Sequence, residues 1–141
     1  MRTSIEQLGA DRIGHGVRTQ EDPAVEKLVF DKQIPLELNP TSNLQTGAIS
    51  DYKSYPLKRY HTKGIPVTIN TDDPAVSGIT LSNEYVVAMR DCGMSPQDVE
   101  ATILNGVDAA FLPAGEKAAL REQMQKEIAQ VHQEWQLGNG A

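Results

Sequence analysis

His15, Asp72 and Asp73 are the residues of this sequence whose types and surroundings could support hydrolytic or metal-assisted chemistry. His15 stands in the stretch RIGHG, where flanking glycines allow the backbone to turn sharply and leave the imidazole uncovered. A histidine in that position can act as a general base, an electrostatic stabiliser or a metal ligand. The motif is equally compatible with a turn histidine that has no chemical role.

The adjacent acids Asp72 and Asp73 follow the apolar stretch PVTIN and precede Pro74. Carboxylates are ligands for zinc and for harder cations. Because the chain is leaving a strand at this point, one acid can face a metal while its neighbour faces a substrate. Taken alone, however, the pair fits a helix start better, since an acidic residue just before a proline is a standard N-cap.

Weaker candidates have simpler interpretations. Three polar side chains of the stretch NPTSNLQTG could orient a ligand: Asn39, Ser42 and Asn43. Turns require the same residue types, so we interpret this stretch as a turn. His61 and His132 lie in amphipathic helical patterns, where a solvated histidine is expected. Trp135 continues a four-residue apolar spacing, which predicts a core position.

The chain alternates between short strands and helices. The strands DRIGHG, IPLEL and IPVTIN are separated by the helical stretches EDPAVEKLVFDKQ and YPLKRYHTKG, which predicts βαβ units in a parallel sheet. Three further helices follow without a linker or an internal repeat, so we predict a single α/β domain over residues 1–141. Ligands bind beyond the carboxyl ends of parallel strands, and the polar endings GHG, ELNPTSN and NTDD are therefore expected to share one rim.

Composition excludes several classes of function. The 141 residues carry a formal net charge of −6 and no basic cluster, which argues against nucleic acid as a partner. The sequence has neither an apolar run of membrane-spanning length nor an apolar signal core, so a cytoplasmic location without membrane contact is expected. Cys92 is the only cysteine, which excludes an intrachain disulfide and a cysteine-based zinc finger.

Three segments in a fixed order, DRIGHGVRTQEDP, LELNPTSNLQTGAI and HTKGIPVTINTDDPAVSG, closely resemble the adenosine deaminases of the metal-dependent amidohydrolase superfamily. The resemblance implies a (β/α)8 TIM barrel with one Zn2+ ion at its carboxyl-end rim. It makes His15 the catalytic histidine, Asp72 a zinc ligand and Asp73 a hydrogen-bond partner of the purine ring. The implied reaction is zinc-dependent hydrolytic deamination of adenosine, and of 2′-deoxyadenosine, to inosine and ammonia.

The family's HxH pair and HAGE segment, which supply further zinc ligands and a proton-shuttling glutamate, have no counterpart in these residues. A complete barrel has eight strands in typically about 250 residues, whereas three strands are predicted here. We therefore expect the C-terminal part of such a barrel, inactive and poor at binding zinc on its own. Exposed strand edges predict self-association or binding of the missing N-terminal part. Two alternatives stay open: a non-catalytic α/β half-barrel module or decayed paralogue, and an adenine or AMP deaminase.

Overall fold

The computed structural model describes residues 1–139, and their side chains as far as residue 136. Three strands alternate with helices in this part of the chain. The strands are β1 (Ile13–Gly14), β2 (Leu36–Leu38) and β3 (Val67–Ile69). The helices are α1 (Arg2–Glu6), α2 (Pro23–Asp31), α3 (Pro40–Gln45), α4 (Leu57–Thr62), α5 (Pro74–Ser77), α6 (Leu81–Arg90), α7 (Pro96–Ala109) and α8 (Ala114–Asn139). Short 3₁₀ helices lie at Val17–Glu21 and Tyr52–Ser54.

The sheet is parallel throughout, with the strands in the order β1-β2-β3. Ile13 pairs with Leu36, which in turn pairs with Val67, so the three strands start level with one another. The predicted βαβ arrangement is therefore confirmed. Because all three strands run in the same direction, their carboxyl ends lie along one edge of the sheet.

One apolar cluster joins the sheet to the helices that follow β1 and β2. Val29 of α2, and Leu57 and Tyr60 of α4, are completely buried in the same cluster as Leu36 and Val67. Full burial of an aliphatic side chain of this size stabilises a protein by about 1.5–3 kcal/mol. This cluster holds the strands in place and thereby sets the position of the residues that follow them.

Helix α7 contacts the chain at the amino ends of β1 and β3. Its Asn105 donates a side-chain hydrogen bond to the carbonyl of Val67, the first residue of β3 (2.9 Å). Arg12, which precedes β1, donates to the carbonyl of Ala109 at the end of α7 (3.2 Å). The Arg12 guanidinium also lies 4.0 Å from the ring centroid of Phe111. These contacts of α7 lie at the end of the sheet opposite to the carboxyl-end rim.

Several local interpretations of the sequence are wrong. The stretch NPTSN is the start of α3, with Pro40 in the first turn, rather than a turn. Trp135, predicted to lie in the core, is 72% exposed. A four-residue spacing shows which residues share a helix face, but it does not show whether another element covers that face. His61 is only partly exposed (22%), and its Nε2 lies 3.0 Å from Oδ1 of Asp98.

None of the described helices combines the length and the apolar character that crossing a bilayer requires.

Candidate active site

Polar side chains meet at the carboxyl-end rim, as the parallel sheet requires. His15 directly follows β1, Asn39 directly follows β2, and Asp72 comes three residues after β3. The Nε2 atom of His15 lies 3.7 Å from Oδ2 of Asp72, and both side chains are a little under half exposed. The predicted catalytic histidine and the predicted metal ligand are therefore neighbours that a ligand can reach.

His15 and Asp72 both adopt a left-handed backbone conformation, with φ of 61° and 60°. For residues other than glycine this conformation costs on the order of 1 kcal/mol or more, and it persists only where surrounding contacts maintain it. Gly16 is also left-handed, and a Cβ atom added there would lie 2.8 Å from Cδ2 of Leu36. The tight turn that exposes His15 therefore requires glycine at the next position.

Two asparagine amides hold the imidazole of His15. Nδ2 of Asn43 lies 2.9 Å and Nδ2 of Asn39 lies 3.1 Å from Nδ1 of the ring. The other contacts of the two amides determine their orientation. Nδ2 of Asn39 also donates to a main-chain carbonyl of β2 (3.1 Å). Oδ1 of Asn43 accepts from the hydroxyl of Tyr55 (2.9 Å). Because both amides donate, Nδ1 is the acceptor. The proton of the neutral ring therefore lies on Nε2, the nitrogen that faces Asp72.

Helix α3 also positions Asp72. The hydroxyl of Ser42 donates to Oδ2 of Asp72 (2.7 Å), the same oxygen that lies nearest His15. The first turn of α3 is in turn held by Glu84 of α6, which is completely buried. Its carboxylate accepts from the main-chain N–H of Thr41 (2.9 Å) and from the hydroxyl of the same residue. One short helix thus supplies hydrogen bonds to both site residues and is itself anchored in the core.

Asp73 is placed differently from its neighbour. It is exposed, and its Oδ1 accepts from the main-chain N–H of Val76 (3.1 Å) as the N-cap of α5. The capping role considered for the acid pair is therefore taken by Asp73, whereas Asp72 faces His15. Hydrogen bonding of Asp73 to a purine ring stays a prediction.

Sequence patterns identify three residues of this site as candidate ligand-orienting side chains but assign them to a turn: Asn39, Ser42 and Asn43. A signal was available, since Pro40 is typical of the first turn of a helix. Positions three and four residues after Asn39 then lie on the same helix face. A helix that begins at the end of a strand places such a face directly over the rim.

Two open clefts meet at His15 and Asp72. The first, of about 380 Å³, is lined by Gly14, His15, Glu37, Asn39, Ile69, Asn70, Thr71, Asp72 and Leu81. The second, of about 460 Å³, is lined by Met1, His15, Gly16, Val17, Arg18, Ser42, Asn43, Thr46, Ala48 and Asp72. Both volumes lie within the range of about 300–1,000 Å³ that is common for small-molecule sites. In the first cleft Glu37 pairs with Arg12, with 3.0 Å between Oε1 and Nε, so its charge is balanced.

The described residues do not complete a zinc site. Zinc takes three or four protein ligands. Within residues 1–136, no three side chains of histidine, cysteine, aspartate or glutamate are arranged to hold a metal ion. His15 and Asp72 supply at most two ligands, and Nδ1 of His15 already accepts from the two asparagines. The donor set at this rim therefore does not by itself fit the zinc ion that the family resemblance implies.

Comparison with known sequences agrees with the resemblance. A profile of the family described as adenosine deaminase matches residues 1–127. The adenosine deaminase of Aliivibrio fischeri is 44% identical over 126 residues, which are 89% of this chain and 38% of that protein. The adenosine deaminase of Escherichia coli O1:K1 is also 44% identical, over 121 residues that cover 86% of this chain and 36% of the relative. The chain thus spans less than two fifths of the length of these relatives.

Solved structures show the same arrangement of strands and helices. An adenine deaminase from Arthrobacter aurescens superposes with a TM-score of 0.85 at 25% identity, covering 91% of this chain and 39% of the other. An amidohydrolase from Burkholderia ambifaria with bound Zn gives 0.83 at 24% identity, covering 94% and 37%. The Arabidopsis protein ADAL, solved in complex with GMP, gives 0.78 at 27% identity, covering 88% and 36%.

These similarities confirm the predicted fold class, an α/β unit that corresponds to the C-terminal part of a (β/α)8 barrel. The sequence profile matches about nine tenths of the chain, and the relatives at 44% identity carry the same family description. The chain belongs to the adenosine deaminase family.

Proposed function

We propose that the protein is a zinc-dependent hydrolase that converts adenosine to inosine and ammonia, and that this chain supplies one side of its active-site rim. The observation that carries the proposal is the arrangement of His15, whose ring is held by two amides with its protonated Nε2 toward Asp72. Identity of 44% to two adenosine deaminases favours adenosine over adenine or a nucleotide, since the adenine deaminase and the GMP complex are 25–27% identical.

Each rim residue has a distinct role in this proposal. His15 orients the attacking water and stabilises the charge that develops on it. Asp72 would supply one carboxylate to a zinc ion in the complete barrel, and Ser42 holds that carboxylate in place. Asp73 is a hydrogen-bond partner of the purine ring in addition to capping α5.

This chain on its own is expected to be inactive. Two potential ligands do not make a closed zinc site, so zinc affinity should be poor. Zinc content and ammonia release of the purified chain test this point, and stoichiometric zinc together with turnover would contradict it. We also propose a cytoplasmic location, in keeping with a single, buried cysteine.

The deamination itself is tested with a chimera in which this chain replaces the segment that it matches in the Aliivibrio fischeri adenosine deaminase. We expect the chimera to release ammonia from adenosine and from 2′-deoxyadenosine. His15→Ala and Asp72→Ala should each lower kcat/KM by about 100-fold or more, because they remove groups that act on the transition state. His132→Gln, a change on α8 far along the chain from the rim residues, is the matched control and should leave kcat/KM unchanged.

The same chimera separates the alternatives. Faster turnover of adenine or AMP than of adenosine would replace the proposed substrate. A chimera that folds and binds zinc but releases no ammonia from any of these compounds would overturn the proposed activity and support a non-catalytic module.

A further inference from the structure

Tyr55 is a buried polar residue beside the site that none of the roles above uses. It is 4% exposed, and its hydroxyl donates to Oδ1 of Asn43 (2.9 Å). This hydroxyl therefore contacts one of the two amides that hold His15.

The direction of these hydrogen bonds is determined by their chemistry. Burial raises the pKa of Tyr55 well above its ordinary value, so the phenol keeps its proton throughout the neutral range. The proton of this hydroxyl is directed at Oδ1 of Asn43. An amide whose oxygen is engaged in this way presents its NH₂ group at the other end, toward Nδ1 of His15.

The reverse orientation of the Asn43 amide would have a specific consequence for His15. Its oxygen would then face Nδ1 of the ring, and a proton on Nδ1 would gain an acceptor. The ring would lose the preference that keeps its proton on Nε2. Without the hydroxyl of Tyr55, the contacts of Asn43 with the imidazole permit either orientation of the amide.

We propose that Tyr55 is a positioning residue for His15: by setting the orientation of the Asn43 amide, it keeps the ring proton on Nε2, the nitrogen that faces Asp72. The catalytic meaning of this tautomer rests on the proposed function. The hydrogen-bond chain from Tyr55 through Asn43 to His15 does not depend on it.

The tautomer can be measured directly by NMR. Long-range ¹H–¹⁵N correlation spectra of the ¹⁵N-labelled chain at about pH 9, some two units above the ordinary pKa of histidine, report the proton position in each neutral ring. The chain has three histidines, so His61 and His132 serve as internal references. Tyr55→Phe is expected to increase the Nδ1-protonated fraction of His15 about fivefold, the effect of losing one hydrogen bond. Tyr85→Phe removes a hydroxyl on α6 outside this chain of hydrogen bonds and should change nothing.

Two further measurements keep the inference testable if Tyr55→Phe unfolds the protein. In the unmodified chain, a scalar coupling across the hydrogen bond is expected between Nδ2 of Asn43 and Nδ1 of His15. In an Asn43→Ala background, where the amide is gone, Tyr55→Phe should cause no additional change in the tautomer. A missing coupling, an unchanged tautomer in folded Tyr55→Phe, or an equal change in both backgrounds would overturn the inference.

The NMR measurements require no turnover. A negative NMR result would therefore not affect the proposed deamination, which the chimera tests separately. In an active chimera, Tyr55→Phe should lower kcat while KM stays nearly constant, because Tyr55 acts on the reacting form of His15 rather than on substrate binding. If the chimera is inactive but the tautomer responds to Tyr55→Phe, the positioning contact stands and the proposed activity fails.

Discussion

Replacing Gly16 with alanine is expected to destabilise the protein and to disturb the turn that exposes His15. Gly16 has a φ of 68°, and the added Cβ would lie 2.8 Å from Cδ2 and 3.3 Å from Cβ of Leu36. Leu36 is completely buried in the central strand, so it has little room to move. Either the turn after β1 or the packing around Leu36 must therefore shift.

The magnitude follows from two separate contributions. An L-residue held in the left-handed region costs about 1 kcal/mol. Forcing a methyl group into a packed core costs typically about 1–3 kcal/mol. We expect Gly16→Ala to lower the free energy of unfolding by about 2–4 kcal/mol, a large share of the roughly 5–15 kcal/mol that stabilises a typical domain.

Urea denaturation of Gly16→Ala beside Gly47→Ala measures the effect. Gly47 has a φ of 71°, but no atom lies within 4 Å of a Cβ added there, so only the backbone contribution of about 1 kcal/mol applies. The difference between the two variants isolates the contact with Leu36. Adding Leu36→Val to Gly16→Ala should recover part of the loss, because the smaller side chain makes room for the methyl group.

Equal destabilisation by the two alanine variants would refute this reasoning. It would show that the turn has space for a side chain, and that glycine follows His15 for its backbone freedom alone. A purely additive effect of the Leu36→Val change would lead to the same conclusion.

Two other substitutions and one measurement of self-association test features away from this turn. Glu84→Gln should lower the free energy of unfolding, measured in urea, by about 1–3 kcal/mol, because a neutral amide cannot accept both hydrogen bonds from Thr41. The control is Glu122→Gln at an exposed position, and an equally small effect of Glu84→Gln would contradict this expectation. A hydrogen bond from Lys58 holds the pKa of Asp98 below its ordinary value. The ionised Asp98 therefore stabilises the folded protein above about pH 4, and this stabilisation is lost as the pH falls further. Thermal melts of Asp98→Asn should show a weaker decline with acid, and parallel curves for both proteins would count against the assignment. The outer edges of β1 and β3 pair with no other strand among the described residues, so we expect the chain to self-associate. Light scattering that shows a monomer at every concentration would rule out self-association.

Much of the fold could be predicted from local patterns. Asp22 before Pro23 marks the start of α2, where its carboxylate accepts from the N–H of Ala24 (2.9 Å). Ser95 and Asp98 form a reciprocal capping box at the start of α7. Such signals involve residues within four positions of each other, so the sequence alone carries them. The parallel sheet follows from the order of strands and helices.

The positions of the exposed apolar residues could not be predicted in the same way. Phe111 and Trp135 are 69% and 72% exposed although both continue four-residue apolar spacings. Periodicity identifies a helix face, but burial depends on which element packs against that face. Phe111 lies beyond the end of α7 and contacts Arg12, a residue 99 positions earlier in the chain.

The sequence by itself determined that His15 and the acid pair follow strands of one parallel sheet and hence share a rim. Only the tertiary structure decided which acid faces His15 and what holds the imidazole. An acid before proline satisfies the local rule for an N-cap, and Asp73 takes that role. The left-handed backbone of Asp72 instead directs its carboxylate toward Ser42, which lies 30 residues earlier in the chain. The amide of Asn43 reaches His15 across 28 residues. Hydrogen bonds over such separations depend on how the strands and helices pack, and short-range sequence patterns do not record that packing.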